Sequence, residues 1–164
     1  MKKYILFGLL TAILHTSCNK TPNYPIEPTI QYTNFRKIPQ GIKDNKGVLT
    51  ISFQDGDGDM GLRQQDTVAP YNIVGDYYYN FFVKYFEKQN GQYVAVPLPI
   101  TNNGRIPYIQ RNGQRRVAEG DIDMELFINN PFSTYDTIRY EVYIVDRALH
   151  ASNTITTPDI IIKK

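Results

Sequence analysis

The chain is predicted to be all-β, an antiparallel sandwich of short strands. Several stretches alternate apolar and polar residues with a period of two, most clearly Val48–Phe53, Asp121–Ile128 and Thr137–Val145. The dipeptides Asn90-Gly91 and Asn112-Gly113 stand between β-prone runs, where two-residue hairpin turns need them. Beyond residue 18 no stretch sustains a 3.6-residue hydrophobic period, so little helix is expected.

The first residues are read as a targeting segment rather than as fold. Lys2 and Lys3 form a positive start, and the apolar run Tyr4–Leu14 is too short to span a bilayer comfortably. Cys18 follows it, which resembles the lipobox of bacterial lipoproteins, where the cysteine receives diacylglycerol and becomes the new N-terminus. His15 stands where that motif has Leu, while Thr16 and Ser17 keep its small residues. The alternative is ordinary secretion with Cys18 left as a free thiol. Residues 1–17 are thus expected to be a signal peptide and 18–28 a flexible, lipid-anchored tether with three prolines. One domain over 29–164 is expected to follow. As the only cysteine, Cys18 cannot close an intrachain disulfide, so packing must hold the domain, and a metal could add to it.

Within the domain, Thr29–Phe35 reads as an edge-like strand and Gly41–Lys46 as a polar turn region. In Val48–Phe53, Leu49, Ile51 and Phe53 point inward. Leu62–Asp76, with Pro70 and Gly75, reads as a long loop. Tyr77–Glu87 is apolar on both faces and is expected to be a central strand covered on both sides, turning at Asn90-Gly91 into Gln92–Val96. Tyr79 is placed in the core, whereas Tyr71 and Tyr77–Tyr79 could instead line a sugar- or peptide-binding surface. Asn103-Gly104 marks a bend, and Arg105–Arg111 and Gln114–Ala118 are expected to pair through Asn112-Gly113. Ile122, Met124, Leu126 and Ile128 are expected inward on the next strand, then Ile138, Tyr140, Val142 and Ile144. Thr154–Ile162 carries Pro158, which suits an edge or a bulge.

Charge excludes one class of partner. The chain has 18 basic and 16 acidic residues, and removal of Lys2 and Lys3 with the targeting segment balances them. A neutral domain lacks the basic footprint that nucleic-acid binding requires.

The concentration of charge lies in Asp55-Gly56-Asp57-Gly58-Asp59-Met60-Gly61, directly after a predicted strand. Asp55, Asp57 and Asp59 have the i, i+2, i+4 spacing that begins an EF-hand loop, and the glycines let the backbone fold around an ion. Met60 occupies the place of the EF-hand glycine, Asp66 that of the final bidentate Glu, and a strand rather than a helix precedes the loop. The pattern is closer to the calcium loops between strands of extracellular β-domains. The competing reading is a solvated acidic turn. Calcium is expected ahead of magnesium, because a flexible, carboxylate-rich loop suits its larger coordination sphere.

Phe53-Gln54-Asp55-Gly56-Asp57-Gly58-Asp59-Met60-Gly61-Leu62, together with Asp146-Arg147-Ala148-Leu149 and Ser152-Asn153, resembles a group of small lipoproteins of Bacteroidota. The resemblance covers nearly all of the chain beyond Cys18 and implies an immunoglobulin-like sandwich in the cell envelope, at the outer membrane. It brings no activity with it. In such a sandwich the loop after the second strand and the loop before the last share one end. Asp146 is therefore expected near Asp55–Asp59, as a fourth ligand, as a partner of Arg147, or as a cap of its own turn.

Other chemistry is weaker. Glu119, Asp121, Asp123 and Glu125 could supply a glycosidase carboxylate pair, but three of them share one predicted solvent face, where Arg139, Arg115 and Arg116 could pair with them. His150 near Ser152 lacks the strand–turn–helix setting of a nucleophile, and no Cys or His cluster offers zinc its ligands. The expectation is a non-enzymatic, lipid-anchored binding or assembly module with a calcium-ordered loop, meeting an envelope protein or a glycan. A carbohydrate-recognition accessory protein and a carboxylate-dependent hydrolase are the alternatives.

Overall fold

A computed structural model of the chain describes residues 24–109 and 117–164. Cys18, the targeting segment, the tether as far as residue 23, the Asn112-Gly113 turn, Arg115 and Arg116 lie outside the described residues. The described part is all-β, as its periodicity requires. Its strands are β1 (Thr29–Gln40), β2 (Lys43–Asp55), β3 (Phe81–Gln89), β4 (Gln92–Ala95), β5 (Ala118–Phe127), β6 (Thr137–Ile144), β7 (Ile155–Thr156) and β8 (Ile160–Ile161). Two antiparallel sheets result: β1-β2-β5, and β4-β3-β6-β7 with β8 also on β6.

The alternating residues form the core. Leu49, Ile51 and Phe53 of β2 meet Ile138, Tyr140, Val142 and Ile144 of β6, all buried, with Phe81 and Tyr85 of β3 and Leu126 of β5. Burying side chains of this size contributes roughly 1.5–3 kcal/mol each, so a single core without disulfides can hold the fold. Asn153 closes the seam between the sheets: its Oδ1 accepts the Ile30 N–H at 2.8 Å and its Nδ2 donates to Ile30 O at 2.9 Å.

Several expectations are corrected. The Gly41–Lys46 turn region shrinks to Gly41-Ile42, and β1 and β2 extend around it as one long hairpin. The β3 strand begins at Phe81, not Tyr77, because Tyr77 and Tyr78 turn back on the preceding loop, their N–H groups donating to Pro70 O and Gly75 O. Asn80 leads into the strand: its carbonyl takes the Val145 N–H and its Oδ1 the Ile106 N–H at 2.6 Å. Tyr77, Tyr78 and Tyr79 are consequently half-buried loop residues, and Tyr79 is not core. Only one face of β3 meets the other sheet. Its outer face is covered by its own neighbours, with Phe82 stacked on Tyr143 and Phe86 beside Arg139 and Lys84. Residues 105–109 form no strand, although Leu62 bridges Pro107 and Gly104 bridges Phe81. The last strand divides into β7 and β8 around Pro158, with Thr157 Oγ1 taking the Tyr140 N–H. The Asn90-Gly91 turn is as expected, both residues with positive φ (51° and 83°).

Candidate metal centre

The site begins with a phase argument. Leu49, Ile51, Phe53 and Asp55 occupy one face of β2, so the inward row ends on a carboxylate, fully buried at one end of the sandwich. Its oxygens accept the backbone N–H groups of Gly58 at 3.2 Å and Met60 at 3.0 Å, and so the loop winds around Asp55. The buried Met60 side chain pins the loop from below. Beyond it the chain zips onto the 106–109 segment through Leu62 N–H to Ile106 O, Tyr108 N–H to Leu62 O and Ile109 N–H to Met60 O. A Cβ on Gly61 would lie 2.2 Å from Pro107 O, and its φ is +90°, so both space and backbone demand glycine there.

The turn after β6 completes the site. Asp146 is fully buried, Oδ1 accepts the His150 N–H at 2.8 Å, and Oδ2 lies 2.9 Å from His150 Nδ1. It caps its own turn and does not pair with Arg147, whose guanidinium is 2.8 Å from Asp66 Oδ1 instead. Asp59 faces this turn, where the backbone N–H groups of Arg147 and Ala148 favour its ionised form. One carboxylate oxygen from each of Asp55, Asp57, Asp59 and Asp146 lies within 4.8 Å of the other three, an arrangement that can hold a metal ion. The two loops do share one end of the molecule.

Electrostatically the cluster is compensated only in part, by His150 at Asp146 and by backbone N–H groups at Asp55. Burial first, then the neighbouring Asp57, pushes the Asp55 carboxyl up to about 7. Burial and the other carboxylates also raise Asp59 and Asp146, and the hydrogen bond that His150 donates to Asp146 raises His150. Asp57 Oδ1 and Asp59 Oδ1 are shut off from solvent and have no hydrogen-bond partner. Buried oxygens without donors are costly unless something positive meets them.

The surrounding loop is held by a residue whose role the sequence did not signal. The Arg105 guanidinium donates to the carbonyls of Arg63, Asp66, Tyr71 and Tyr78 and so gathers the 62–79 loop against the carboxylate end. Asp66 is committed to Arg147 and to the Arg63 N–H, and it stands outside the carboxylate cluster.

The carboxylates of β5 are arranged differently. Glu119, Asp121, Asp123 and Glu125 stand along one exposed face. Their partners are not Arg139, which lies in the other sheet over the Tyr93 ring, but Lys46 for Glu125, Thr50 for Asp123 and the Tyr24 hydroxyl for Glu119. Compared with protein-family models, curated proteins and solved structures, the chain matches none.

Proposed function

We propose that this is a lipid-anchored β-sandwich of the cell envelope, at the outer membrane, acting as a non-enzymatic binding or assembly module. Calcium orders one end of it. The observation that carries the calcium reading is the pair of buried, partnerless oxygens on Asp57 and Asp59 within a four-carboxylate cluster. A spacing bounded by 4.8 Å matches twice the calcium–oxygen distance of about 2.3–2.6 Å. An all-oxygen, carboxylate-rich donor set suits a hard cation and calcium ahead of magnesium. Kinship to immunoglobulin-like domains is supported by the strand order, β1-β2-β5 against β4-β3-β6-β7, which parallels A-B-E against C′-C-F-G. The address is supported by Cys18 and the segment before it.

The hydrolase alternative is disfavoured by the flat, exposed row on β5, where neighbouring carboxylates do not face each other across a cleft. Carbohydrate recognition stands as a second reading because Tyr77, Tyr78 and Tyr79 remain partly exposed beside the metal end. A glycan array without hits removes it.

Calcium titration by calorimetry with a parallel thermal melt tests the main reading. Calcium at 100 times its dissociation constant stabilises the folded state by about 2.7 kcal/mol if only that state binds. Asp57→Ala abolishes both heat and shift. A wild-type protein with neither, up to millimolar calcium, reduces the loop to an acidic turn.

A further inference from the structure

The segment before β1 is not free of the domain. The Gly56 N–H donates to Pro25 O at 2.8 Å, and a Cβ on Gly56 would lie 2.3 Å from Tyr24 O and 2.4 Å from Pro25 O. The Tyr24 hydroxyl donates to Glu119 at the start of β5. The chain thus enters the domain at the metal end, a correction to the expected tether, whose final residues from Tyr24 onward are packed against the domain.

Three aliphatic side chains stand out from the loop at this same end: Val68 is 73 %, Ile73 78 % and Val74 86 % exposed. The loop that bears them is tied down, since the Tyr71 hydroxyl donates to Arg147 O and Arg105 holds the Tyr71 and Asp66 carbonyls. Exposed aliphatics on a fastened loop are not explained by the core of this domain.

We propose that this end is a membrane-seating surface. Val68, Ile73 and Val74 dip into the interface of the leaflet that holds the acyl chains on Cys18. The inference rests on the lipid anchor proposed above. Six residue steps separate Cys18 from Tyr24, a reach of at most about 20 Å. The β2 strand alone, 13 residues, is about 40 Å long at the usual rise, so the tether holds the metal end near the bilayer and leaves the Gly41-Ile42 turn remote. Lying flat on the β1-β2-β5 sheet would press the acidic row of β5 against lipid headgroups. Weak apolar contacts suffice for an anchored domain, because the tether makes the second contact intramolecular and the effective concentration high.

The chain contains no Trp and a single Cys, which allows a direct test. The protein from residue 18 onward, which keeps every described residue, is coupled through Cys18 to a maleimide lipid. The vesicles contain phosphatidylethanolamine and phosphatidylglycerol with brominated acyl chains. Trp is introduced at Val74 (Val74→Trp) or, at the far end, at Ile42 (Ile42→Trp), which is 89 % exposed. Seating of this end quenches Val74→Trp at least about twofold relative to unbrominated vesicles and leaves Ile42→Trp unchanged. No quenching of Val74→Trp, or equal quenching of both, overturns the proposal. Equal thermal melts of the two variants and the parent verify that each is folded. Repeating the measurement with calcium and with chelator separates the readings, since seating without calcium dependence keeps this proposal while removing the metal from it. The anchor is read independently: absence of acyl mass on Cys18 in protein recovered from cells removes the premise.

Discussion

Glu87 and the Asp55 cluster are both buried carboxylate sites, toward opposite ends of the sandwich, and they are built on opposite principles. Glu87 is 1 % exposed, and donors meet both its oxygens: Tyr85 hydroxyl and Asn130 Nδ2 on Oε1, Ser133 Oγ and Gln89 Nε2 on Oε2. At the other end, Asp55 has two backbone donors, while Asp57 and Asp59 each bury an oxygen that has none. A carboxylate surrounded by donors is complete as it stands. Carboxylates surrounded by one another are complete only with protons or a cation. The first site has its donors already, and the second can hold a metal ion.

The largest effect is expected where the network is complete. Glu87→Ala leaves four donors facing a cavity and costs about 3–5 kcal/mol, the scale for removing one partner of a buried charged network. Urea unfolding measures it, and the loss should be the same with calcium or with chelator, because the two sites share no residue. A loss below about 1 kcal/mol means that the donors are satisfied without the carboxylate, and the comparison breaks at its stronger end.

Charge removal at the acidic end should have the opposite sign. In chelator, Asp57→Asn relieves repulsion on Asp55 and stabilises the protein by about 2 kcal/mol, within the range for like charges a few ångströms apart. The same variant weakens calcium binding. The pH dependence follows from the same cause. Asp55 titrates at about 7 when folded, against a usual value of 3.8, so between those values the folded state binds more protons than the unfolded state. The stability of the metal-free protein therefore falls as pH rises from about 4 to about 7. His150, raised above its usual value, acts in the same direction at the upper end. The lowered Asp44 and Asp159 act in the opposite direction, but only below 3.8. With saturating calcium this slope is lost, because the ion displaces the protons and leaves the folded carboxylates as ionised as the unfolded ones over that range. Thermal melts from pH 4.5 to 7.5 read the fall in chelator and its loss in calcium. A stability that rises with pH in chelator contradicts the raised Asp55.

The contrast also explains what the sequence made legible. Period-two alternation identified the inward rows of β2 and β6 because each inward residue is apolar, and the same phase carried on to Asp55. Asp146 was placed by topology, since loops at one end of a sandwich meet whatever their separation in the chain. Glu87 obeys the same alternation as Phe81, Val83 and Tyr85, so its inward position was readable; its donors were not, because Asn130 and Ser133 come from a loop 43 and 46 residues away. Arg105 escaped for a related reason. It binds backbone carbonyls, which any sequence supplies, so no residue pattern marks its partners. The Tyr77–Tyr79 run does not form a strand because aromatic β-propensity reflects packing on a sheet, and the Tyr77 and Tyr78 N–H groups are taken by Pro70 O and Gly75 O of the preceding loop.

The smallest effect concerns how the acidic site meets the tether. Gly56→Ala places a methyl 2.3 Å from Tyr24 O, too close to a backbone atom to be absorbed by a side-chain rotation. The Tyr24–Pro25 segment must move away and give up the Gly56 N–H to Pro25 O bond, a loss of about 1 kcal/mol. Limited proteolysis should then cut ahead of Thr29, where the parent resists, while the melting temperature changes only slightly. Calcium affinity should stay within about threefold, because Asp55 is held by the N–H groups of Gly58 and Met60 and not by residue 56. A tenfold loss of calcium affinity would mean that the docked segment helps to shape the metal site. The acidic end and the segment before β1 would then be one unit, in which a pull on that segment alters the affinity of the loop for calcium.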